Sequence, residues 1–192
     1  RRCDLAHHHP GRLALPKGPV DTSGMQDANW TDALTTGLSH EGEGPHLCVL
    51  ATVDGQMKPM ARCMYCREVT EDGQLIFVSA RRTRKDQHLR ERPDAEGVFW
   101  LESQRTQFRV RGHAVVVGAE MDDYMRRTWW SKISDESRAI FKGLGNGWEL
   151  ADGEPTKVTA DTPMPSTFEM LVLNPEEVEM LVLKEQPQIR RA

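Results

Sequence analysis

The sequence predicts a mainly β chain with short helices (α+β), built on an antiparallel barrel or sandwich. Two observations carry this: apolar residues recur with a period of two in several segments, and Asp-Gly turns join the first three segments into a meander. Residues 47–53 (LCVLATV) alternate as a strand closed by Asp54-Gly55, and Pro59 to Val69 returns as the antiparallel partner. A second Asp72-Gly73 leads into Leu75 to Ala80.

The period changes after Ala80. RRTRKDQHLRERP predicts a short helix with Thr83 as its N-cap, stopped before Pro93. Strands resume with GVFWLE (97–102) and QFRVRGHAVVVG (107–118), where Phe108, Val110 and Ala114 alternate with Arg109, Arg111 and His113. Helical spacing returns at 29–38, 119–130 and 134–141, while 143–165, rich in Gly and Pro, reads as a long connection. FEMLVL and VEMLVL flank Asn174-Pro175 and are expected to form a closing hairpin. Residues 1–24 show no hydrophobic period and read as a flexible extension, leaving one domain over 25–192.

Composition excludes some function classes. The 192 residues are 38% hydrophobic and 28% charged, with no apolar run approaching the roughly 20 residues that span a bilayer. A cytoplasmic or organelle-matrix address is expected. The net charge of -4 argues against general nucleic-acid binding. Cys63 and Cys66 resemble a CxxC pair, but residues three apart on a strand face opposite sides and cannot share a metal, so no metal site is expected. His46, His88 and His113 are isolated and read as surface or strand residues.

The chemistry concentrates at the strand-to-helix junction SARRTRK, which gathers Ser79, Arg81, Arg82, Thr83, Arg84 and Lys85. A helix start offers unpaired N–H groups and a positive dipole end. Hydroxyls and cations added there make an anion site suited to a phosphate monoester. Arg62 and Arg67 lie on the second strand; five apart, they serve one ligand only if a bulge re-aims one. Gln107 opens a later strand with a carboxamide able to donate to and accept from a heterocycle.

Taken in order, LATVDG, R-x-x-x-x-R, FVS, TRK, a strand ending in Phe-Trp, and Gln107 resemble pyridoxamine 5'-phosphate oxidase and its split-barrel relatives, over about residues 30–117. Farther on, Trp130, Ser134-Asp135, Arg138 and Phe141 look more like the wider FMN-binding subfamily. The resemblance implies an antiparallel six-stranded split β-barrel binding FMN. It also implies a homodimer with FMN at the subunit interface and a flavin-dependent oxidoreductase acting on a small molecule. By the same resemblance Arg84 and Lys85, with Thr83 and Arg62, hold the FMN phosphate, backbone near Met64 and Val78-Ser79 lines the flavin, and Gln107 faces the isoalloxazine. Arg67 stands where the true oxidase has a substrate-gripping Lys. Tyr124 is followed by Thr128 and Lys132 instead of the oxidase's Arg and Ser, and the chain ends on Arg190-Arg191-Ala192 without its Arg-x-His. Those departures point away from pyridoxamine phosphate as substrate. The competing readings are a split barrel holding haem or a deazaflavin, and a nucleic-acid binder using the basic face from Arg81 to Arg92 with Trp100, Phe108 and Arg111.

Overall fold

The computed structural model describes residues 30–43, 45–143, 159, 161–183 and 189–191. The expected extension 1–24 and most of the 143–165 connection lie outside them. The elements run α1 (Trp30–His40), β1 (His46–Val53), β2 (Pro59–Val69), β3 (Leu75–Ala80), α2 (Arg84–Glu91), β4 (Asp94–Leu101), β5 (Thr106–Val117), α3 (Asp123–Lys132), α4 (Asp135–Gly143), β6 (Phe168–Val182) and β7 (Ile189–Arg191).

The strand order is β3-β2-β1-β4-β5-β6, and β6 pairs back onto β3, so six antiparallel strands close into a barrel; β7 extends β6 outside that ring. Period-two patterning decides what fills it. Cys48 and Leu50 of β1, Phe99 of β4, and Phe108 and Val110 of β5 point inward and are almost fully buried, with Leu34 and Leu38 of α1 packed on the same cluster. The opposite face of β3 and β6 is apolar too, and α3 and α4 cover it. Trp130, Ile133 and Phe141 pack there on Ile76, Val78, Phe168 and Met170, and the three aromatic rings meet edge to face.

Two turn expectations change. Asp54-Gly55 does not make a two-residue turn: the Asp54 carboxylate accepts from the N–H groups of Gln56 and Lys58, both at 2.9 Å, and Met57 takes the positive φ of 64°. The hairpin expected at Asn174-Pro175 is a bend inside one strand. From Met170 to Val182 β6 pairs with β5, with a bulge opposite Arg111 and Gly112 that absorbs Glu176. Gly112 makes this possible, because a Cβ there would stand 1.9 Å from the Asn174 carbonyl oxygen. Strand β4 also begins at Asp94, directly after Pro93, instead of at Gly97.

Candidate functional site

The junction between β3 and α2 is pinned from three directions. The Arg81 N–H donates to the Thr167 carbonyl at 2.8 Å, Arg82 adopts a positive φ of 67°, and its N–H donates to Asp86 Oδ2 at 2.9 Å. Thr83 caps α2 by accepting from the Asp86 N–H at 3.4 Å. Beneath the turn, Arg90 donates through Nε to Asp86 at 2.8 Å and through Nη2 to Glu169 of β6 at 2.9 Å. Burial, with the Asp86 charge beside it, raises the Glu169 carboxyl above its usual range. These contacts fix the helix start to the barrel wall before any ligand is considered.

Into this frame the chain brings Lys85 and Arg62. Lys85 Nζ reaches Thr83 Oγ1 at 3.3 Å. Burial, with the neighbouring Arg62 charge adding to it, pushes its ammonium down to about 8, and Asp86 offsets only part of this. Arg62 projects from β2, donating through Nη1 to the Leu50 carbonyl and to Thr52 Oγ1, both at 2.9 Å; desolvation lowers its pKa as well. Nearby on β3, Ser79 Oγ is buried without a hydrogen-bond partner among the described residues. Two desolvated cations and a helix N-terminus, with a buried hydroxyl on the strand that leads into it, make a place suited to an anion.

The remaining sequence candidates do not all join this cluster. Arg84 is exposed on the first turn of α2. Met64 packs against the barrel core, and the Val78 side chain lies under α3 and α4, leaving their backbone as the available surface. Arg67 occupies a bulge in β2, where the register with β3 shifts between Cys66 and Glu68. Five residues separate it from Arg62, roughly 16 Å of strand. Its Nη2 donates to Ser137 of α4 at 3.4 Å, its buried Nε has no partner among the described residues, and it lines a cavity of about 550 Å³ with His46, Ser39, Glu43 and Glu68. Gln107 pairs with Trp100 of β4 on the outer face of the barrel, away from the helix start.

Some residues were misread or missed. His88 is not a surface residue: it is 8% exposed on α2, with Nδ1 3.1 Å from Thr52 Oγ1. His113 is a surface residue, held between Glu176 at 2.7 Å and Asp94 at 3.3 Å. Asp86 and Glu169 were also missed; Asp86, three residues after Thr83, was recoverable as the acidic member of a capping arrangement. Cys63 is exposed and Cys66 buried, on opposite faces as the spacing required, and burial pushes the Cys66 thiol up to about 12. Part of the basic face is neutralised. Arg90 is held as above, Arg111 contacts Glu96 and Glu177, and Phe108 is in the core.

Known proteins share this arrangement. Residues 27–118 match the model for the pyridoxamine 5'-phosphate oxidase FMN-binding domain. The pyridoxine/pyridoxamine 5'-phosphate oxidase of Mycolicibacterium gilvum is 28% identical over 189 residues, covering 89% of this chain and 86% of that protein. A pyridoxamine 5'-phosphate oxidase-related, FMN-binding protein from Nostoc punctiforme superimposes with a TM-score of 0.70 at 28% identity, over 87% of this chain and 91% of that one. PhzG from Burkholderia lata shares the fold, with a TM-score of 0.69 at 20% identity over 84% and 81% of the two chains. The matched segment contains the first five barrel strands and the pinned helix start, and the structural likeness extends through the closing strand. Over residues 27–118, and in its split-barrel fold as a whole, the chain is therefore similar to the pyridoxamine 5'-phosphate oxidase-like FMN-binding proteins.

Proposed function

We propose that this protein binds FMN, with its phosphate at the start of α2, and acts as an FMN-dependent oxidoreductase on a small molecule. The observation that carries the reading is the pair Lys85 and Arg62, like charges drawn together out of water, with a Ser79 hydroxyl that has no partner among the described residues four positions before the Thr83 cap. A phosphate dianion supplies the missing counter-charge and an acceptor for that hydroxyl, so the residues present fit the group. Thr83 and the exposed Arg84 complete the ring of donors. Bound FMN supplies hydride and electron-pair chemistry at its isoalloxazine. The chain's own part is to anchor the phosphate, wall the ring with strand backbone near Met64 and Val78, and meet the substrate from Arg67 and the cavity beside it. The Arg67 guanidinium differs from a lysine in its planar fork of donors, which suits a planar anion.

A homodimer fits the same reading. On the outer barrel face Leu47 is paired with Tyr65, and Val49 with both Cys63 and Val98; Leu47 and Tyr65 are 55% and 54% exposed, and Trp100 lies alongside at 44%. Neighbouring apolar residues left in water on one face are the pattern of an interface. Gln107 borders this patch through Trp100, so in a dimer it would meet the cofactor at the interface, not within its own phosphate cluster. Sedimentation at micromolar concentration should give twice the chain mass, and Val49→Glu should halve it; a wild-type monomer would overturn this part.

The cofactor test is direct. Protein incubated with FMN and desalted should retain flavin absorbance, and protein left colourless would defeat the reading. Replacing Arg84 and Lys85 together by Ala should weaken FMN binding by about 1.5–3 kcal/mol for each charge-assisted bond lost. Riboflavin binding should hardly change, and equal losses for both ligands would contradict a phosphate role.

A further inference from the structure

Arg62 is aimed by a short relay that begins at His88. A guanidinium can swing about its long stem, and what fixes its plane is where its N–H groups go. Both acceptors found for Arg62 are taken by Nη1: the Leu50 carbonyl and Thr52 Oγ1, each at 2.9 Å. Among the described residues this leaves Nε and Nη2 for a ligand. Thr52 is 2% exposed, so its hydroxyl proton also needs an acceptor. Since Oγ1 already accepts from Arg62, that acceptor is the ring nitrogen at 3.1 Å, Nδ1 of His88. Nδ1 must then carry the lone pair, and the imidazole is the neutral Nε2–H tautomer.

We propose that His88 is a positioning residue for the phosphate grip: as a neutral acceptor it turns the Thr52 hydroxyl so that its oxygen holds Arg62 toward the start of α2. The proposal rests on the FMN reading above and assigns to Thr52 and His88 a share of the preference for the phosphorylated cofactor. With the opposite tautomer, Oγ1 would face donors from both sides and its own proton would be stranded in a buried site. Asp54, just past the end of β1, lies close enough to the imidazole to interact with it. Asp54 is held as a carboxylate by the Lys58 and Gln56 N–H groups.

The test compares FMN with riboflavin across four variants. Thr52→Val and His88→Leu remove a relay member and should weaken FMN binding about tenfold, one charge-assisted hydrogen bond, leaving riboflavin unchanged. Thr52→Ser keeps the hydroxyl, and His88→Asn places a carboxamide oxygen where Nδ1 was; both should stay within about threefold of wild type. Wild-type FMN affinity in Thr52→Val, or a parallel loss of riboflavin, would overturn the relay. An imidazole nitrogen spectrum of the wild-type protein decides it independently of any variant's folding: His88 should be protonated at Nε2, and protonation at Nδ1 would refute it. If wild type shows no preference for FMN over riboflavin, the FMN reading fails, and the spectrum still reports on the relay.

Discussion

Arg138 and Lys85 are both cations withdrawn from water, and the chain settles them in opposite ways. Arg138, 3% exposed, donates through Nε to the Trp130 carbonyl at 3.0 Å and through Nη2 to the Ser131 carbonyl at 2.8 Å, and Nη1 meets Asp135. It joins the last turn of α3, where carbonyls are unpaired and the dipole is negative, to the first turn of α4. Its charge is spent on structure. Lys85 lies at the positive end of α2, with Arg62 as its strongest electrostatic neighbour. Among the described residues its hydrogen bond goes to Thr83, a hydroxyl already shared with the Asp86 N–H. A buried cation with its counter-groups in place stabilises the fold, whereas one held at a helix N-terminus beside a like charge is a cost that a ligand can offset.

The first way to break this contrast is at Arg138. Arg138→Ala should cost about 3 kcal/mol in urea unfolding, since it strips two helix-end carbonyls of their donor and separates α3 from α4. FMN affinity, once corrected for the fraction folded, should stay near wild type because the helix start at Thr83 belongs to a different part of the barrel. A loss of less than about 0.5 kcal/mol would place Arg138 among ordinary surface substitutions and erase the distinction.

How far the sequence shows this contrast depends on the range of the interactions involved. Thr83 as N-cap, the stop before Pro93 and the inward set of Phe108, Val110 and Ala114 are all local, and they were legible with correct positions. The bend at Asn174-Pro175 was not, because the strand continues only where Gly112, some sixty residues earlier in the chain, leaves room for it. His88 and Thr52 are separated by 36 positions and meet because α2 folds back beneath the end of β1. Periodicity carries no trace of that contact. The cation cluster at SARRTRK was visible as composition, but which members turn inward was not. Lys85 does, Arg84 does not, and the direction follows from the position each takes on the first helical turn. Arg67 and Gln107, assigned by likeness to the substrate and to the isoalloxazine, lie apart from this cluster by strand rise and sheet order.

The complementary experiment removes the uncompensated charge. Lys85→Met keeps the length of the buried stem and should make the ligand-free protein more stable by about 1–3 kcal/mol near neutral pH, while abolishing most of the preference for FMN over riboflavin. The sign of the pH dependence provides a sharper check. Lys85 titrates near 8 in the folded chain and at the ordinary lysine value of 10.5 when unfolded, so between those values the unfolded chain binds the extra proton and stability rises with pH. The wild-type deficit relative to Lys85→Met should therefore be constant below pH 8, shrink above it, and vanish near the unfolded value. Chemical unfolding of both proteins at a series of pH values reads this difference directly and cancels groups common to the two. A gap that stayed level across the window would mean that Lys85 is solvated or already paired, and the helix start would then be no more in need of an anion than the last turn of α3 is in need of a cation.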